Sequence, residues 1–109
     1  MTGELRLDDL AVPLRALRHL YERFGYLPAP AVAVTTIWPE RLELSFHDDL
    51  PGFEAWREEL GIDPDAVTHG TQSSGRTRVL RASAEYAGAR LELVAYAPVP
   101  AVLAVAEAA

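Results

Sequence analysis

Eight prolines and seven glycines are spread through 109 residues. They punctuate the chain too often for helices alone to fill a core, so strands must supply part of it. The length suits one domain. A domain of this size buries roughly 60–70% of the surface its unfolded chain exposes. Half of the residues are apolar, enough for a core without a metal or a crosslink.

The punctuation divides the sequence into readable pieces. Leu10, Leu14, Leu17, Tyr21 and Phe24 recur at helical spacing and predict a helix over about 10–24. Asp8 or Asp9 supplies a start signal and Gly25 a left-handed stop. Tyr26-Leu27-Pro28-Ala29-Pro30 is a stiff extended entry into a β-branched strand, 31–37. Trp38-Pro39-Glu40-Arg41 reads as a turn. Leu42, Leu44 and Phe46 then alternate with Glu43, Ser45 and His47, the period of a half-buried strand. Phe53, Trp56 and Leu60 mark one face of a second helix that Gly61 ends, with Glu54, Arg57 and Glu58 off that face. Asp63 caps a single turn with Pro64 at its first position. The segment from His69 to Gly75 is small and polar and reads as a loop. A second hairpin follows, 76–86 and 90–97, joined at Ala87-Gly88.

These pieces predict an α+β domain over 1–97. Its single antiparallel sheet has about four strands, with two helices packed on one face in the order helix, hairpin, helix, hairpin. Residues 98–109 form an apolar tail, whose Val99, Val102 and Leu103 are expected to pack on the domain or on a second subunit. An uncovered sheet face or an apolar tail is a common place for a partner.

Charge and composition exclude several classes. Cysteine is absent, which removes disulfides, thiolate metal sites and thiol chemistry. The N-terminus carries acids where a signal peptide needs basic residues and an apolar run. The apolar run from Leu93 to Ala106 is interrupted by Pro98 and Pro100 and falls short of the roughly 20 residues that span a bilayer. No membrane contact and a cytoplasmic location are the expectation. All ten basic residues are Arg and the formal net charge is −6, the reverse of a nucleic-acid footprint. Residues 1–66 hold 13 acids and 6 arginines, whereas 67–109 hold 3 acids and 4 arginines.

A search for chemistry finds little. His19 flanks the first helix. His47, Asp48 and Asp49 are adjacent on an extended segment and point in alternating directions, which does not suit one metal ion. Asp48-Asp49 and Glu58-Glu59 read as solvated pairs. No cofactor fingerprint is present, and no nucleophile elbow. The most suggestive stretch is His69, Thr71, Ser73 and Ser74 followed by Arg76 and Arg78. Hydroxyls, backbone N–H groups and guanidinium groups make a workable anion cradle. Arg78 and Arg81, with Arg76, Arg90, Tyr86 and Tyr96, offer a modest surface for nucleic acid. Trp56 belongs to the core. Trp38, at a turn, is either a lid over the core or an exposed anchor for a partner.

Leu14-x-x-Leu17, Leu27-Pro28-x-Pro30, Phe53-x-x-Trp56-x-x-x-Leu60-Gly61, Arg81-Ala82, Gly88 and Leu91-Glu92-Leu93 together resemble a group of small actinobacterial proteins often encoded beside phage or integrative-element genes. The resemblance spans roughly residues 10–97 and implies no activity. The expected function is therefore a small non-catalytic binding or regulatory module acting through protein–protein contact, self-association included. An anionic-ligand site at 69–78 and a nucleic-acid accessory role for the C-terminal arginines are the alternatives. An enzyme remains open if a dimer assembles residues from two chains.

Overall fold

The computed structural model describes residues 5–99. A 3-10 turn, Leu7–Leu10, leads into α1 (Ala11–Phe24). β1 (Ala31–Ala33) and β2 (Arg41–His47) follow, then α2 (Leu50–Glu59) and a 3-10 turn, Pro64–Ala66. β3 (Thr68–Gln72), β4 (Thr77–Tyr86) and β5 (Ala89–Pro98) complete the order. The strands form one sheet in the order β1-β2-β5-β4-β3.

The class is α+β, as expected, but the sheet has five strands and is mixed. β2 and β5 run parallel at its centre, and every other neighbouring pair is antiparallel. A parallel return needs a crossover of a dozen or more residues, which α2, β3 and β4 provide. The fifth strand is β3, which occupies the first part of the segment read as a loop. All of its residues are exposed. With neither face buried, nothing imposes the alternation that marks a strand in sequence.

Both helices pack across β2 and β5 and cover one face of the sheet. Leu42, Leu44 and Phe46 of β2, Leu80 and Ala82 of β4, and Leu91, Leu93 and Ala95 of β5 meet Leu20, Phe24, Phe53 and Trp56 in one core. Phe53 is fully buried and sets its ring edge-on to Phe46, with centroids 6.1 Å apart. Glu43, Ser45 and His47 lie on the opposite face, beside Glu92, Val94 and Tyr96 of β5.

The helix termini show why the sequence stops where it does. Asp49 caps α2, its side chain accepting from Gly52 N–H at 3.1 Å. A Cβ at Gly52 would run into that carboxylate. At the other end Gly61 is left-handed, φ 70°. Its N–H donates to Glu58 O at 3.0 Å and Ile62 N–H donates to Arg57 O at 3.1 Å, the paired bonds of a Schellman motif. Arg57, expected off the apolar face, is buried. It donates to Ile62 O at 2.6 Å and grips both carboxylate oxygens of Glu54 at 3.0 Å. A guanidinium this far in is tolerated because its donors are matched.

Two expectations for α1 are corrected. The helix stops at Phe24 with Gly25 as its cap, but Gly25 is right-handed, φ −59°. Leu27 N–H donates to Phe24 O at 2.9 Å and Pro28 carries the chain away. The buried stripe is Pro13, Ala16, Leu20 and Phe24. The expected stripe lies beside it: Leu14 is 40% exposed and Tyr21 69% exposed. The apolar arc of α1 is wider than the sheet beneath it, and the bulkier side chains occupy its uncovered shoulder.

β5 extends through Pro98, and Val99 N–H donates to Arg76 O at 2.8 Å. The start of the expected tail therefore belongs to the sheet. Val102, Leu103 and the remainder of the tail lie outside the described residues.

Candidate functional site

The residues chosen from the sequence are not gathered into one place. His69 and Thr71 lie on β3, opposite Leu80 and Arg78. Ser73 and Ser74 form the β3–β4 turn, both with positive φ, 57° and 58°. Arg76 closes that turn, its Nε donating to Ser73 O at 3.3 Å. Arg78 and Arg81 sit at odd spacing on β4 and point to opposite faces. Every one of these residues is exposed. A cleft on the open face takes in Thr68, Arg81, Ser83 and Glu92 but no residue of 69–78. Arg41, Arg81 and Arg90 share the open face with Glu43, Glu85 and Glu92, which breaks up any basic footprint. Arg90 is itself paired to Glu92 at 2.7 Å.

The histidines are also apart. His47 stacks on Tyr96, centroids 5.0 Å apart and planes 15° from parallel, and its Nε2 lies 3.4 Å from Ser45 Oγ. No acid orients that ring, so the pair lacks the third member that a nucleophile's base requires. Among the described residues no cluster of His, Asp and Glu is arranged to hold a metal ion. Among them, too, no helix is long and apolar enough to cross a membrane.

A different place has the concavity. The second half of α1, the 25–30 segment, β1 and Trp56 enclose a groove of about 220 Å³. Leu17, Tyr21, Leu27, Pro28, Val32 and Leu44 are among its walls, and no charged side chain lines it. Two bonds hold the outer wall against α2. Trp56 Nε1–H donates to Pro28 O at 2.7 Å, and Tyr26 Oη–H donates to Glu59 Oε1 at 2.5 Å. That second bond, with the nearby negative charge, holds the Tyr26 phenol above its ordinary pKa. The groove is thus built before anything enters it.

Its surroundings extend the same character. From Phe24 to Pro39 the sequence contains no Asp, Glu, Arg, Lys or His. Within that run Tyr26, Val32, Ile37 and Trp38 are all exposed, Ile37 at 75%. Leu14 of α1 and Leu7, in the turn before it, are exposed as well. Trp38 stands at the turn where Arg41 N–H donates to its carbonyl at 3.0 Å. The Arg41 guanidinium lies over its ring, 4.8 Å from the centroid. Of the residues singled out from the sequence, Trp38 alone falls on this surface. The groove itself was missed because a search for chemistry looks for charged and nucleophilic residues. The signal here is a long run without them.

β1 is the sheet's outer strand, with one side unpaired and all three residues exposed. Exposed edges are ordinarily guarded by charge, by proline or by a covering element. Pro30 precedes β1, and β1 itself carries no charge; the charged residue nearest in register is Glu43 of β2, opposite Ala33.

Fold and site together define an α+β domain with helices on one sheet face and an apolar, uncharged sheet edge beside a preformed groove. No family model, no curated protein and no solved structure matches the chain.

Proposed function

We propose that the protein is a non-catalytic interaction module, and that its docking face is the groove between α1 and β1 with the uncharged surface of residues 24–39. The observation that supports this is the coincidence of three features. An apolar concavity, an unguarded strand edge and a charge-free surface run occupy one side of the molecule. A groove below the ~300–1,000 Å³ of small-molecule sites, with no ionisable lining, suits apolar side chains of a polypeptide better than a polar metabolite. Contiguous exposed apolar surface of this kind marks interaction sites. An extended segment laid along β1 would gain backbone hydrogen bonds and drop alternate side chains into the groove. The resemblance to mobile-element-associated proteins rests on the sequence pattern and adds no chemistry to this reading.

Photo-crosslinking residues placed singly at Val32, Ile37, Thr71 and Ser83 test it in the cells that make the protein. Positions 32 and 37 are expected to give one discrete adduct, lost when Tyr21→Glu is added. Thr71 and Ser83 are expected to give none. Adducts of equal yield at all four positions, or none anywhere, would rule the docking face out.

A further inference from the structure

We infer that the occupant of this face is a second copy of the same chain, joined edge to edge through β1 so that two five-stranded sheets become one. The inference rests on the docking face just described and names its partner.

Charge supplies the first argument. The chain carries −6, so two copies repel across most approaches. A twofold axis sets each surface against itself, so every carboxylate near the axis would face another. Residues 24–39 are an exposed run that itself carries no charge, so the cost there is reduced to the flanking Glu43, opposite Ala33, and Glu59, bonded to Tyr26. The exposed side of α1 next to it carries Arg15, Arg18 and Arg23 with Glu22, and Arg18 is paired to Glu22 at 3.3 Å.

The strand itself is the second argument. Ala31-Val32-Ala33 reads the same in both directions. Paired antiparallel about Val32, it sets Val32 against its own copy and Ala31 against Ala33, small side chains throughout. Val32 shares a face with Leu44, its partner on β2, and that face is the groove side. The Val32 contact would therefore close the two grooves into one apolar seam. Three residues are a short pairing, and a stable interface needs on the order of 1,200 Å² in total. Tyr21 lines the same groove as Val32, and Ile37, four residues after the strand, is exposed; both supply further apolar area. β3, the other edge, has no such groove and no such symmetry.

The chain has no cysteine, which makes the test clean. Opposed positions of an antiparallel pair lie about 4.5–5.5 Å apart between Cα atoms, inside the range a disulfide accepts. The experiment combines sedimentation over a dilution series with oxidative crosslinking of the single variants Val32→Cys, Thr71→Cys and Ser83→Cys. Expected are a particle of twice the chain mass and rapid crosslinking of Val32→Cys alone. Crosslinked heterodimers are also expected when Ala31→Cys and Ala33→Cys are mixed. Val32→Arg should halve the mass while leaving the far-ultraviolet circular dichroism unchanged. A monomer at every concentration overturns self-pairing. So does a dimer that crosslinks through Thr71→Cys or fails to crosslink through Val32→Cys. In the monomer case, photo-adducts at positions 32 and 37 to a different protein would leave the docking face standing, and their absence would remove both.

Discussion

Single residues decide how firmly the groove is held. Tyr26 donates its phenol hydrogen to Glu59, and that bond exists only while the phenol is protonated. The folded protein therefore holds this proton more tightly than the unfolded chain, whose tyrosine titrates near 10. The contribution is complete below pH 10 and lost as pH rises through the higher folded value. Wild type is expected to resist denaturant better than Tyr26→Phe at pH 9, and the gap should narrow as pH rises past the ordinary tyrosine value near 10. Urea midpoints on either side of that value check this, and a gap that persists at high pH argues against the bond. Trp56 and Trp38 show how far sequence reading reaches at this scale. Trp56 lies on a helical apolar face and is in the core, as its spacing implies. Trp38 follows no period, and only the turn built around Pro39 places it outside.

Elements were legible where one face is buried and the other is not. β2 alternates cleanly and matches its expected span to within one residue. β4 and β5 alternate nearly as well, because each sets one side chain in two against the helices. β3 has no buried face and so no period. Register between β2 and β5 was not legible at all, since nothing near 41–47 in sequence states that 90–96 will lie alongside. The groove was legible in principle as a run without charge, but absence draws less notice than a motif. The β4–β5 hairpin carries a prediction of its own. Its two-residue turn puts Ala87 at φ 50° and Gly88 at φ 83°, the positive pair that favours Asn-Gly. Alanine in that region costs on the order of 1 kcal/mol. Ala87→Asn should recover about that much and raise the melting midpoint by ~4–8 °C, the shift such a gain produces in a small domain. An unchanged midpoint would show that the turn stores no strain.

The whole molecule is bound together by strands from its two halves. β2 comes from the first half and β5 from the end, and they share the centre of the sheet. The core residues of β2, Leu42, Leu44 and Phe46, have the helices and the three-residue β1 from their own half, and Leu91, Leu93 and Ala95 of β5 from the other. A fragment of residues 1–66 and one of 67–109 are each expected to lack a cooperative melt. Mixing them should restore one. A sharp transition in the 1–66 fragment by itself would mean that the first half is a domain in its own right.

The parallel pairing also sets a schedule for the chain as it is made. β2 leaves the ribosome early, and the strand that seals its inner side is among the last to follow. At synthesis rates of about 5–20 residues per second, β2 waits for a time on the order of seconds with its inner edge unpaired. The unguarded β1 edge waits beside it. A protein that pairs with its own copies through that edge has a reason to keep nascent chains apart until β5 arrives. Slow translation of the second half is thus where this fold is most exposed to misassembly.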